Sequence, residues 1–75
     1  MVIKILGSGC AKCKKLAANA QQAVDEMGID ARVEKVEKME DIMGYGVMST
    51  PALVVDEKVK VMGKVPSAED IKKYL

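Results

Sequence analysis

Two residues hold most of the reactive chemistry available to this chain of 75 residues: Cys10 and Cys13, its complete cysteine complement. An i, i+3 spacing brings both sulfurs to one helical face, close enough to form or break a disulfide. A bridge between them would close a loop too small to remove much entropy from the unfolded chain, so a structural staple explains them poorly. In a reducing compartment such a pair points to redox chemistry or to metal. The chain has no His, so a His-activated nucleophile is excluded. Activation of a thiol has to come from backbone N–H groups, a helix dipole and lysine.

The elements around the pair decide between the two chemistries. Val2–Leu6 (VIKIL) is a short β-rich run, and Gly7, Ser8 and Gly9 end it as a turn. From Cys13 the apolar residues fall at Leu16, Ala17, Ala20, Ala23, Val24 and Met27, which is helical spacing, and Gly28 follows as a stop. The segment Gly9-Cys10-Ala11-Lys12-Cys13 therefore sits where a strand hands over to a helix. There the unpaired N–H groups and the positive dipole end stabilise a thiolate on Cys10. Gly7 and Gly9 leave the backbone room for a close approach of substrate. Lys12, Lys14 and Lys15 lie in the first turns and Asp25 and Glu26 in the last. Helix stability favours the reverse, by ~0.3–1 kcal/mol per charge. Either this is a solvated face tolerating a small cost, or the lysines, Lys12 foremost, reinforce the Cys10 thiolate. On a strand-to-helix turn of this kind the redox reading outweighs the metal reading.

Downstream, residues 29–36 alternate, with Ile29, Ala31 and Val33 on one face and Asp30, Arg32 and Glu34 on the other, as in an edge strand. Residues 37–43 place Met39, Ile42 and Met43 at helical spacing, closed by Gly44 and Gly46. Ala52–Val55 is a continuous apolar run suited to a central strand. Asp56 and Glu57 turn the chain into Lys58–Met62, an antiparallel return with Val59 and Val61 inward. Ser67, three residues before Asp70, reads as an N-cap for a last helix with Ile71, Tyr74 and Leu75 as its apolar stripe. The order β-α-β-α-β-β-α specifies an α/β fold, a four-stranded mixed sheet flanked by helices, in one domain over 1–75. With no Phe or Trp, the core is expected to be aliphatic, the six methionines filling irregular gaps.

Residues 45–55 (YGVMSTPALVV) add a second motif. With the Cys-x-x-Cys turn they make the whole chain resemble the thioredoxin superfamily, in particular its very small thioredoxin- or glutaredoxin-like redox-active disulfide proteins. The resemblance implies a minimal thioredoxin fold and a cis Thr50–Pro51 bond beside the cysteines. It also implies a Thr50 main chain that pairs with an extended substrate segment. Pro51 at the first residue of a buried strand is sterically permitted. Three departures stand out. Gly9-Cys10-Ala11-Lys12-Cys13 replaces both Trp-Cys-Gly-Pro-Cys and Cys-Pro-Tyr-Cys. No Asp lies in Val2–Leu6 to act as the buried carboxylate of thioredoxins. Gly63 stands alone where a Gly-Gly pair and a following Asp would help hold glutathione.

The implied activity is that of a protein disulfide oxidoreductase without a cofactor. Cys10 and Cys13 are its catalytic residues, Gly9 and Lys12 the site environment, and Thr50, Pro51 and Tyr45 the substrate-binding residues. Its partners are a disulfide-containing protein and a reductase or low-molecular-weight thiol. Met43, Tyr45 and Met48 fit either an apolar patch bordering the site or packing in core and loops. The alternative is a metal module holding Cu or Zn on the same pair. Against it, Ser8 stands where copper chaperones carry Met, and the chain ends in a helix rather than a strand. Neither His nor further Cys exists to complete a four-ligand zinc site. A net charge of +1 with only two aromatics lacks the basic face and stacking groups of a nucleic-acid binder. No apolar run approaches the ~20 residues of a membrane span, and Val2–Leu6 is too short for a signal-peptide core. The expectation is a cytoplasmic monomer.

Overall fold

A computed structural model of the chain describes residues 1–7 and 11–75. The elements run β1 (Val2–Leu6), α1 (Ala11–Met27), β2 (Arg32–Val36), α2 (Met39–Gly44), β3 (Ala52–Val55), β4 (Lys58–Met62) and α3 (Ala68–Lys72). The four strands form one mixed sheet in the order β2-β1-β3-β4. β1 pairs parallel with β2 and antiparallel with β3, which pairs antiparallel with β4. This is the α/β order expected from the sequence, a minimal thioredoxin fold with β2 at an edge and β3 buried along its whole length.

Strand alternation divides the interior into two layers. On one face Ile3, Ile5, Leu53, Val55 and Val61 pack against Leu16, Ala17, Ala20, Ala23 and Val24 of α1 and Ile71 of α3. On the other, Leu6, Ala52 and Val54 meet Ile42 of α2 and Val47. The three alanines let α1 lie close to the sheet, and the interior is filled by Ile, Leu, Val and Ala.

No methionine is in that interior. All six, Met1, Met27, Met39, Met43, Met48 and Met62, are exposed, with Met43 at 67% and Met48 at 92%. The expected gap-filling role is thus overturned: β-branched side chains and alanines at a tight helix–sheet contact leave no irregular gap to fill. Of the stripe expected on α2 only Ile42 is buried, and on α3 Tyr74 is exposed while Ile71 is buried.

Two strand boundaries also differ from the sequence reading. β2 begins at Arg32 rather than at residue 29, because its ladder starts where β1 starts: Arg32 N–H donates to Met1 O at 3.0 Å and Val2 is in register with Arg32. Residues 29–31 have no neighbouring strand. In β4 the register slips, Val59 opposing Val54 and Val61 opposing Leu53. One residue, Lys60, is therefore unpaired, and the β-bulge sends Val59 and Val61 to opposite faces. Val61 is in the core, and Val59 is exposed rather than inward.

Long-range polar ties close the fold. Glu26, in the last turn of α1, accepts from Lys72 Nζ of α3 at 2.6 Å and from Gln22 Nε2 at 2.6 Å. Those bonds hold the Glu26 carboxyl below its ordinary range and the Lys72 ammonium above its own. The acidic end of α1 thus has a tertiary reason. Ser67 caps α3 as expected, its Oγ accepting from Asp70 N–H at 3.2 Å. Ser67→Ala is expected to lower the unfolding free energy by about 1 kcal/mol, read from the urea midpoint at unchanged slope.

Candidate active site

The site is built where β1 ends and α1 begins. Gly7 is buried, and its N–H donates to Val36 O of β2 at 3.0 Å, prolonging the β1–β2 ladder by one bond. A Cβ at position 7 would collide with Cys13 Sγ, with Cys13 Cβ at 3.1 Å and Pro51 Cα at 4.0 Å. Gly7 is therefore required by the cysteine. The sequence reading assigned its bareness to the approach of substrate; the sulfur of Cys13 fills that space instead.

Cys13 stands in the first turn of α1, 5% exposed. The neighbouring Lys12, like Lys14 and Lys15, is exposed to solvent. No acidic residue occupies the first turn of α1 and no basic residue the last, so the inverted charge order expected from the sequence is present. Cys10 and Gly9, with Ser8, lie outside the described residues.

The second motif arrives from β3. Pro51 is buried immediately before Ala52, the Thr50–Pro51 bond is cis, and Thr50 is exposed. Pro51 O accepts from Gly63 N–H at 2.8 Å. Gly63 has φ +73°, and a Cβ there would stand 3.0 Å from Ser49 Cβ. The segment 49–51 is thereby held between β1 and the end of β4, with the exposed Met48 ahead of it. Cys13 and Pro51, far apart in sequence, flank the same glycine.

A family model for the thioredoxin domain matches residues 1–75. The chain is also 49% identical over 75 residues to a thioredoxin of Methanothermobacter thermautotrophicus, covering all of itself and 97% of that relative. It is 41% identical over 75 residues to a thioredoxin of Methanocaldococcus jannaschii, covering 86% of it. The chain belongs to the thioredoxin family. Its enzymatic class is thiol–disulfide oxidoreductase.

Tyr45 is engaged away from that arrangement. Lys4 Nζ donates to Tyr45 Oη at 2.8 Å and is paired with Glu57 Oε1 at 2.7 Å, while Tyr45 Oη donates to Glu57 Oε2 at 3.0 Å. The ammonium also lies 5.5 Å from the centre of the Tyr45 ring. Lys4 is on a central strand, on the α2 face of the sheet, where a lone charge would be costly. Glu57 comes from the β3–β4 turn, at the end of the sheet opposite Pro51. Asp56 and Glu57 both have left-handed backbones, φ 48° and 68°, at about 1–2 kcal/mol each for non-glycine residues. They are held there by β1: Asp56 exchanges bonds with Val2 N–H and Val2 O, both at 2.9 Å, and Glu57 meets Lys4. Sequence reasoning missed this triad. The signal available was Lys4 itself, a cation in the middle of an apolar strand that needed a partner.

Two outcomes follow. Gly7→Ala is expected to lower stability by about 1–3 kcal/mol in urea unfolding and to speed alkylation of Cys13 in the native state, because the sulfur must move out. For the triad, Glu57 is held below its ordinary value of 4.5 by the hydrogen bonds from Lys4 and Tyr45, and Lys4 above its ordinary 10.5 by Glu57 and Tyr45. A lowered carboxyl contributes stability above 4.5 that is lost as pH falls through its folded value; a raised amine contributes stability below 10.5 that is lost as pH rises through its own. Lys4→Met should therefore flatten both the acid and the alkaline edge of the stability–pH curve, measured by urea unfolding across pH.

Proposed function

We propose that this chain reduces disulfides in partner proteins by cycling Cys10 and Cys13 between dithiol and disulfide. The observation that carries the reading is the placement of Cys13 and Pro51 around the same bare position, Gly7. It sets a buried thiol beside the start of a strand, where an extended segment can be received. Cys10, at the helix N-terminus, is the nucleophile: its thiolate attacks the partner's disulfide and forms a mixed disulfide. Cys13, whose sulfur is buried, then attacks Cys10 and releases the reduced partner. Gly9 leaves the backbone bare beside Cys10, and Lys12 adds positive charge near its thiolate.

Thr50, exposed ahead of the buried Pro51, offers its main chain to the substrate strand. Met48, exposed two residues ahead of it, supplies apolar surface. Tyr45 supports the reading less directly, since its hydroxyl is taken by Lys4 and Glu57. We assign the dithiol's regeneration to a reductase or a low-molecular-weight thiol, and we place the molecule in the cytoplasm as a monomeric single domain. No helix of the described residues is long and apolar enough to cross a membrane.

Cys10→Ser is expected to abolish disulfide reduction, and Cys13→Ser to accumulate a covalent mixed disulfide with a disulfide-bonded protein, visible by intact-mass measurement. Full multi-turnover activity of Cys13→Ser would show the roles to be misassigned. Tight stoichiometric Cu(I) binding by the metal-free dithiol, without turnover, would favour a metal-transfer module on the same pair.

A further inference from the structure

We propose that the partner's disulfide is flanked by carboxylate side chains, and that a cluster of lysines at the Cys13 end of the molecule selects it. This substrate class rests on the disulfide-exchange reading above. The chemistry is that of the reading: the partner disulfide gains two electrons and two protons, which the Cys10–Cys13 dithiol gives up as it becomes a disulfide.

Four segments meet at one end of the sheet. The first turn of α1 sets Cys13 against Gly7, and β2 ends with Val36 O on Gly7 N–H. β3 starts after Pro51, whose carbonyl accepts from Gly63 N–H just beyond β4. Residues 11–15, 35–38, 48–51 and 62–64 therefore share this end. Their charges are Lys12, Lys14, Lys15, Lys35, Lys38 and Lys64 against Glu37 alone, and all of these lysines are exposed. The chain as a whole has a formal net charge of only +1, so the rest of the molecule is net acidic.

Internal pairing leaves that charge intact. The ion pairs among the described residues join Lys4 to Glu57, Arg32 to Glu34, Lys72 to Glu26 and Glu69, and Lys73 to Asp70. None of them uses a lysine of the cluster. Folding gives no reason for the cations of α1 either, since lysines in a first turn oppose the helix dipole. The fold concentrates them nonetheless: α1 starts where the parallel pair β1–β2 ends, so its first lysines arrive beside Lys35 and Lys38.

The middle of this surface is neutral. Met48, Ser49 and Thr50 are exposed and uncharged, which suits an extended peptide laid along the start of β3. Cations stand to the side, and Lys14 and Lys35 line the same cleft as Cys13. An acidic segment meets attraction there and a basic one repulsion, so selection is a difference between partners. Exposed ion pairs add little affinity. A one-signed surface instead raises the rate of encounter, in a manner that salt abolishes.

The test is reduction of two disulfide-bonded peptides by the full reduced chain. The peptides are alike except that glutamates or lysines flank their cysteines. Salt is raised from about 0.01 M to about 1 M, over which the screening length falls from about 30 Å to about 3 Å. The acidic peptide should react about tenfold faster at the lowest salt, and the two should converge at the highest. Lys14→Glu combined with Lys35→Glu should cut the low-salt ratio by about threefold or more. Equal rates for the two peptides at low salt overturn the proposal. So does a double variant that slows both peptides equally, because the lysines would then act on the thiolate and not on the partner. Failure of the wild type to reduce either peptide at any salt would instead overturn the exchange reading itself.

Discussion

The sulfur of Cys13 occupies the volume that any side chain at position 7 would need, and much of the architecture follows from that contact. It fixes how closely the first turn of α1 approaches the end of β1. Ala17, Ala20 and Ala23 continue the approach along the helix, so α1 lies flat on Ile3 and Ile5 instead of pivoting about its first turn. The same glycine is neighbour to Pro51. A single bare backbone position thus brings together the helix N-terminus, the buried thiol and the start of β3. Its N–H on Val36 O ties the junction to the edge strand as well.

Two ion pairs tie the fold together away from this junction. They are Lys4–Glu57 and Glu26–Lys72. Each joins an early element to a late one, and each holds an otherwise misplaced charge: a cation in a central strand, an acid at a helix C-terminus. The left-handed turn at Asp56 and Glu57 is part of the same device, since its conformational cost is offset by bonds to Val2 and Lys4. The lysines of the first turn of α1 are exposed and oppose the helix dipole, with no acidic residue beside them in that turn.

The element order, the mixed sheet and the α3 cap were legible in the sequence because each rests on local pattern, and the cis bond was implied by the family resemblance of residues 45–55. What was not legible depends on which residues oppose one another across space. The start of β2 is set by where β1 starts, a register that alternation within residues 29–36 cannot report. The bulge at Lys60 is a mismatch between two strands, so the inward pairing of Val59 with Val61 could not be tested from β4 alone. The exposure of every methionine reflects a core already closed by β-branched residues and alanines. Lys4, Glu57 and Glu37 are single charges whose partners or cleft arise only on folding. Cys10 and Gly9 lie outside the described residues, and their roles are read from the sequence and the family.

The sheet itself sorts the charges around the buried sulfur of Cys13. Strand alternation sends Lys4 to the α2 face and Ile5 to the α1 face, where Cys13 lies. β1 therefore offers Cys13 no titratable group, and its one charged side chain is an ammonium already bonded to Glu57 and Tyr45. α1 offers Lys14, a donor. A parallel neighbour in register with β1 delivers its carboxyl end to the same crevice, and what it delivers there is Lys35 and then Glu37. Parallel pairing of β1 with β2 thus does more than build the sheet: it brings Lys35 and Glu37 into the lining of the cleft that Cys13 also lines.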